Sequence, residues 1–236
     1  MMKDSLGDRM KRFENTRRDV LMPRMPTIIR IDGKAFHTYT KQMNFTFPFD
    51  DYLHAFMGYT ALSLFENVQN ARLCYFQSDE ISILLNDWGT YETEQWFGGN
   101  IQKITSVSAS EATAAFIKAI MIHQCSSRRD ELLTMPLPKF DSRVWQIPKE
   151  EVSNYFLWRQ QDATRNSLQM LGRAHFSHKQ MHKKNTSDIH DMLHEIGINW
   201  NDLETWKRRG ACIKGGEYDG DIPIFSANRS YIEELL

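Results

Sequence analysis

Apolar and polar positions along the chain fall into two rhythms. Thr27-Ile-Ile-Arg-Ile-Asp32 is a β-branched run that ends in a carboxylate and is followed at once by Gly33, which predicts a buried strand. Leu73-Cys74-Tyr75-Phe76 and Ile81-Ser82-Ile83-Leu84-Leu85 are two further strand-like runs, and the polar residues Gln77-Ser78-Asp79-Glu80 between them predict a hairpin with a four-residue tip. Phe140 to Ile147 predicts another short strand. Helical spacing shows elsewhere. Leu53, Phe56, Met57, Ala61, Leu64, Phe65 and Val68 recur at intervals of three and four, so residues 51–68 predict a core-facing helix capped by Asp50 or Asp51. Residues 5–20 predict a short amphipathic helix. Residues 104–124 predict a long helix, rich in small side chains, that packs closely on a sheet, and residues 150–171 predict another. Residues 22–26, with two prolines, and 45–50, around Pro48, are connections.

The order strand, helix, hairpin, helix, strand, helix predicts an α+β layer: an antiparallel or mixed sheet of ferredoxin-like or polymerase palm-like type, with helices on one face. It does not alternate as a doubly wound parallel sheet does. The expected organisation is a palm-like catalytic part over residues 1–150, a mostly helical continuation over 151–213 and a loose, Gly-rich and acidic tail over 214–236. No internal repeat is present.

Composition narrows the partners. Of 236 residues, 41 % are hydrophobic and 25 % charged, which suits a soluble globular protein. Lys and Arg number 29 against 30 Asp and Glu, so any nucleic acid must be held by a local basic patch. The three cysteines, Cys74, Cys125 and Cys212, form no CxxC pair, which argues against a zinc knuckle and for a reducing compartment. The polar N-terminus has no signal-peptide core and no run is long enough to span a membrane. The expectation is a soluble, cytoplasmic chain.

Chemistry concentrates at two strand ends. Asp32-Gly33 and Asp79-Glu80 each adjoin an apolar strand, and a palm-like sheet can bring them side by side. Two close carboxylates repel unless a cation lies between them. Mg²⁺ prefers carboxylate oxygens plus substrate phosphates, and two such ions can orient an in-line attack on phosphorus. Asp32 and Asp79 as ordinary turn residues is the alternative. Asp32-Gly-Lys-Ala-Phe-His37 can form an anion-binding nest, with Lys34 and His37 adding charge, although it is no Walker loop. Arg159, Asp162 and Asn166 share a helix face, either an exposed salt-bridge strip or the polar wall of a nucleotide or RNA site. His175, His178 and His182 fit one stripe beside Lys179, Lys183 and Lys184. Phosphate contact, a solvated face and a zinc site are the readings, and zinc has no accompanying carboxylate or cysteine motif. Lys207-Arg208-Arg209 is a second basic cluster, again a phosphate contact or a solvated face.

These residues together resemble the tRNA(His) guanylyltransferase family and its guanylyltransferase-like relatives over roughly residues 5–213. Arg30-Ile-Asp-Gly-Lys-Ala-Phe-His37, Gln77-Ser-Asp-Glu80, Phe140-Asp-Ser-Arg143, Trp158-Arg-Gln with Asp162, and Arg208-Arg-Gly-Ala-Cys212 carry the resemblance in this order. It implies a palm-type fold that adds nucleotides in the 3′-to-5′ direction. The family activates a tRNA 5′ end with a nucleoside triphosphate, and the 3′-hydroxyl of an incoming nucleotide then attacks that end and expels the leaving group. The resemblance further implies that Asp32 and Asp79 bind two Mg²⁺ with a backbone oxygen of Gly33, and that Glu80 supports the cluster. The amides of Lys34, Ala35, Phe36 and His37, with Ser78, would hold triphosphate of ATP or GTP. Asp50 would line the nucleobase pocket, and Lys103 would meet a second triphosphate or the RNA 5′ end. A homotetramer is the implied assembly. Where eukaryotic members carry His-Ile-Asn-Asn, this chain reads Thr164-Arg-Asn-Ser167, as in bacterial, archaeal and phage-type relatives that repair truncated tRNA 5′ ends against a template. Phe47 stands where the family often has a basic residue, and the tail after 214 has no counterpart. A non-catalytic nucleotide- or RNA-binding relative and a palm-type nucleotide cyclase are the alternatives.

Overall fold

A computed structural model describes residues 5–123 and 134–236 of the chain, so Cys125 and the expected helix end at Gln124 lie outside the described residues. In chain order the elements are α1 Leu6–Asn15, β1 Thr27–Gly33, α2 Phe36–Gln42, α3 Asp51–Asn67, β2 Ala71–Gln77, β3 Glu80–Leu85, α4 Ile101–His123, β4 Phe140–Gln146, α5 Val152–His175, α6 His178–Met181, α7 Thr186–Glu195, α8 Thr205–Arg209, β5 Ala211–Lys214, β6 Glu217–Asp219 and α9 Ser230–Glu233. The strands form one six-stranded sheet in the order β4-β1-β3-β2-β5-β6. Every described pairing is antiparallel.

Both faces of this sheet are covered, which corrects the expectation of helices on one face. Ile29, Ile31, Cys74, Phe76, Ile81 and Ile83 point to the side of α3 and α4. Ile28, Leu73, Tyr75, Leu84 and Cys212 point to the other side, against Val152, Tyr155 and Phe156 of α5. The signal was in β3, whose six residues are all buried. A strand that carries apolar residues on both sides, here Ile81 and Ile83 on one and Leu84 on the other, is one that is packed from above and below. On the first face Asp50 caps α3, its carboxylate accepting the Leu53 N–H at 2.8 Å.

The hairpin is tighter than expected. Gln77 pairs with Glu80, so the tip is only Ser78-Asp79, and Ser78 adopts a left-handed conformation. α5 runs on to His175, four residues beyond the expected end, and the polar stretch after it holds three short helices.

The tail is not loose. Chain beyond residue 150 returns to the sheet as β5 and β6, and residues after 219 cross the α5 face. Ile222, Phe225 and Ile232 are fully buried there. Gln160 of α5 clasps the crossing segment: its side chain accepts the Phe225 N–H at 2.8 Å and donates to the Pro223 carbonyl at 2.9 Å. Glycines 215 and 216 that read as flexibility are the left-handed residues of the β5–β6 turn. A third cluster joins the far half of α5 to α7 through Leu168, Leu171, Ile189, Leu193 and Trp200.

Phe225→Ala should therefore destabilise the fold by about 3–5 kcal/mol, as expected for a buried aromatic rather than a tail residue. A denaturant midpoint equal to that of the wild type would show the tail to be dispensable.

Candidate active site

The sheet delivers its carboxylates to one end. In the β1–β3 ladder Asp32 stands opposite Glu80, so Asp32 closes one strand where the hairpin opens the other. The Gly33 N–H donates to the Asp79 carbonyl at 3.0 Å, stitching the end of β1 to the turn. Only glycine fits between them. A Cβ at position 33 would stand 2.3 Å from the Phe36 ring and 2.9 Å from the Asp79 Cβ.

The three carboxylates have different environments. Glu80 is buried and gripped by Arg159, whose Nε and guanidinium nitrogen donate to its two oxygens at 2.7 Å each. Arg159 also donates to Asp162 at 3.0 Å, and Asp162 accepts in turn from Arg165 and Asn166. Burial raises the Glu80 carboxyl above the usual range, while Arg159 opposes that rise. Glu80 therefore serves the sheet–helix junction, and its oxygens are not turned to the cleft. Asp32 and Asp79 have no such partner: among the described residues neither is in an ion pair. Burial, and then the charge of Asp32, push the Asp79 carboxyl up to about 6, although the Ser78 hydroxyl donates to it at 3.1 Å.

Among the described residues no three His, Cys, Asp or Glu side chains converge on a possible metal position. The carboxylate supply for a cation is the pair Asp32 and Asp79. Two carboxylates that repel, with a backbone beside them, suit Mg²⁺, which takes one or two carboxylates and leaves its other positions to water and phosphate. The residues present fit that ion. They do not suit zinc, and neither do His175, His178 and His182, which are exposed without a further ligand.

A cleft of about 700 Å³ opens beside Asp79. Phe36, His37, Thr40 and Lys41 line one wall, and Asn166, Gln169, Met170 and Arg173 of α5 line the other. It meets a smaller cavity of about 80 Å³ under Pro48, Phe49, Leu53 and Trp206. Ser78, Gln77 and Asp50 line both. Both Asp50 oxygens accept backbone N–H groups, from Leu53 and from Thr46 at 2.7 Å, so Asp50 is a clamp as well as a wall. Next to the smaller cavity His54 lies stacked on Trp206, ring centroids 3.9 Å apart, with Phe76 beyond. Burial pushes its imidazole down to about 4, and its Nε2 lies 2.8 Å from the Tyr218 hydroxyl.

The loop after Gly33 offers fewer amides than expected. The Lys34 N–H is donated to the Lys139 carbonyl at 2.7 Å. Ala35, left-handed at φ 56°, starts α2, and the N–H groups of Ala35, Phe36 and His37 precede the first intrahelical bond. The Phe36 ring is buried against Phe116 and Phe140 and anchors that turn. Lys103 is not at the cleft. It lies in the first turn of α4, which begins where Ile104 and Thr27 share a small hollow at the opposite end of β1 from Asp32, and its ammonium lies 6.0 Å from the Phe97 ring. The basic cluster of residues 207–209 also divides: Lys207 pairs with Glu204 at 2.8 Å, Arg208 lies over Trp200, and only Lys207 and Arg209 line the small cavity. Sequence reading missed His54, Trp206, Gln169 and Met170. Trp206 and Met170 carry no local signal, because chain segments more than 100 residues apart bring them to the same pocket.

The family model described as tRNAHis guanylyltransferase matches residues 7–148. A tRNA(His) guanylyltransferase of Debaryomyces hansenii is 28% identical over 235 residues, covering 92% of this chain and 83% of its own. A probable tRNA(His) guanylyltransferase of Drosophila melanogaster is 27% identical, covering 86% and 71%. Among solved structures, a bacterial tRNA(His) guanylyltransferase-like protein in complex with ATP has a TM-score of 0.90 and 46% identity over 98% of this chain and 99% of that one. The tRNA(His) guanylyltransferase of Saccharomyces cerevisiae, at 22% identity and a TM-score of 0.79, shares the palm-like fold.

Two expectations follow from the carboxylates. Arg159→Met should cost about 3–5 kcal/mol by leaving Glu80 buried and unpaired; an unchanged unfolding midpoint at pH 7 would contradict the pairing. Asp79 binds its proton more tightly folded than unfolded, so its ionisation destabilises the metal-free protein as pH rises from about 4 through 6. Asp79→Asn should then be more stable than the wild type at pH 8, by on the order of 2–3 kcal/mol, with the difference vanishing towards pH 4. Paired melting curves across that range decide it.

Proposed function

Because the chain belongs to the tRNAHis guanylyltransferase family of nucleotidyltransferases, we propose that it adds nucleotides to the 5′ end of tRNA in the 3′-to-5′ direction, with Mg²⁺. The observation that carries this is the pair Asp32 and Asp79: two carboxylates without a cation partner among the described residues, stitched together through Gly33, with Asp79 lining the 700 Å³ cleft. A mere binding module has no need to hold that repulsion.

In this reading Asp32, Asp79 and the Gly33 backbone hold Mg²⁺. Bound there, the ions would neutralise phosphate charge and orient attacking and leaving oxygens. The amides of Ala35 to His37, the Ser78 hydroxyl and the side chains of His37 and Lys41 hold a triphosphate of ATP or GTP along the cleft wall. The small cavity beside Asp50 and Trp206 takes the base. Once the RNA 5′ end is activated, the residues align the 3′-hydroxyl of the incoming nucleotide with its phosphorus, so that one P–O bond forms as the bond to the leaving group breaks. Positioning and charge neutralisation supply most of the acceleration in such transfers. Arg159 and Glu80 keep the turn in place without touching substrate.

The reading includes a homotetramer. α1 buries no residue and exposes Leu6, Met10 and Phe13 on one side, which supports assembly with other copies. Among the described residues no helix is long and apolar enough to cross a membrane.

The test is incubation with Mg²⁺, labelled nucleotides and a 5′-truncated tRNA whose opposite strand offers a template. Addition dictated by the opposite base is the expected result. A single guanosine added whatever stands opposite would indicate untemplated maturation. No addition with any nucleotide would favour a binding protein or a cyclase. Asp32→Ala and Asp79→Ala should each lower the addition rate by at least about a hundredfold while leaving the fold intact; undiminished turnover in either removes the proposal.

A further inference from the structure

Residues 163–187 contain no Asp or Glu, while the chain's 30 carboxylates all lie outside them. The same 25 residues carry Arg165, Arg173, Lys179, Lys183 and Lys184, with three histidines among them. Arg165 is spent on Asp162. The other four cations are exposed, and among the described residues none of them is in an ion pair.

Their place in the fold gives this patch a direction. α5 starts its polar face at Arg159, which grips Glu80 beside the catalytic turn. Asn166, Gln169 and Arg173 follow on the same face and line the same cleft as Asp79. At 1.5 Å per residue, Arg173 lies about 21 Å along the helix from Arg159. Lys179 of α6 and Lys183 and Lys184 behind it follow Arg173 in the chain and are exposed. α6 is held there because Met181 packs over Gly172, where a Cβ would meet its methyl carbon at 2.6 Å, and within the Leu168 to Trp200 cluster. The cations are therefore mounted on a packed shelf.

We propose that this shelf, Arg173 with Lys179, Lys183 and Lys184, holds backbone phosphates of the substrate RNA about seven base pairs in from its 5′ end, the count set by the roughly 2.8 Å rise of an A-form RNA pair. The inference rests on the reading that the 5′ end lies at Asp32 and Asp79, and it adds where the body of the RNA runs: along α5, away from the sheet. The contact is to phosphates and carries no base specificity. Net charge near zero leaves the rest of the surface no bulk attraction for RNA, so a local shelf of this kind must supply it.

The experiment compares the wild type with K179A/K183A/K184A by binding to two RNA hairpins that share a 5′ end, one with a 4-base-pair stem and one with a 12-base-pair stem, from 50 to 200 mM salt. Four pairs do not reach the shelf and twelve do. The variant should bind the long stem about tenfold or more weakly at 50 mM salt, with a log–log salt slope shallower by about 2–3. It should bind the short stem as the wild type does. K179R/K183R/K184R should keep wild-type affinity, and equal melting temperatures exclude misfolding. Unchanged affinity and slope on the long stem, or an equal loss on both stems, overturns the shelf. Nucleotide addition by the wild type to a 5′-truncated tRNA, assayed in parallel, reports separately on the catalytic reading. If it fails while the stem-length effect persists, the surface stands and the activity does not.

Discussion

The buried pair of Glu80 and Arg159 organises the protein around it. Two ions withdrawn from water lose several kcal/mol of solvation each, and only good geometry restores it. Here both carboxylate oxygens are met at 2.7 Å by one guanidinium. The partners come from residues 79 apart, so the contact forms only when α5 lies across the second face of the sheet with its Arg159 turn at the hairpin. That contact sets the angle of α5. The angle determines which residues reach the cleft, Asn166, Gln169 and Arg173, and lets Gln160, one residue on, catch the returning C-terminal segment. Fold and site thus share one electrostatic joint.

The same joint sets the charge of the site. Three acidic side chains lie within two adjacent strand ends, and an unpartnered trio would repel strongly at close range. Arg159 cancels one of them within the fold. The remaining pair is left opposed, and the raised Asp79 carboxyl records the repulsion and the burial. Such a pair gains most from a divalent ion carrying phosphate, because the ion removes a strain that water screens only poorly at a half-buried position. Held apart from the apolar faces by Gly33 and the two-residue turn, the carboxylates can stay at the edge of the sheet while Ile31 and Ile81 directly behind them are fully buried.

How far the sequence spoke for this arrangement depends on the range of the interactions. The strands, α3 with its Asp50 cap, and the meeting of Asp32 with the hairpin were legible because each follows from a few adjacent residues. The covered second face was legible in principle, since Ile81 to Leu85 carries apolar residues on both sides, with Ser82 its one polar position. The tail was not. Its Gly-rich start reads as slack, yet Ile222, Phe225 and Ile232 find their partners on α5 and β2, far away in sequence. The hairpin tip read as four residues because Gln77 and Glu80 are polar, and polarity at a strand end does not reveal whether a ladder bond is made. Lys34 and Lys103 show the same limit. The Lys34 amide is taken by a carbonyl of residue 139, and Lys103 is carried to the end of β1 away from Asp32 by the direction of α4. Family resemblance places a residue in a motif. The register of helix on sheet decides which end of the molecule it occupies.

Charge along α5 then has a physical reading that net charge conceals. Acidic groups gather where the sheet ends, and the chain from 163 to 187 is free of them. A polyanion entering such a field meets repulsion at the bare carboxylates and attraction at the far end of the helix. Its body can be held by Arg173 and the lysines while its end approaches Asp32 and Asp79 together with the cations that a triphosphate brings. In the proposed reading, attraction centred about 21 Å along α5 from Arg159 would hold the RNA without neutralising Asp32 and Asp79, because at physiological salt the field of a surface lysine fades within roughly 8 Å. Had the same lysines stood at the cleft floor, they would have paired with Asp79 as Arg159 does with Glu80, and the metal position would have been filled by the protein itself.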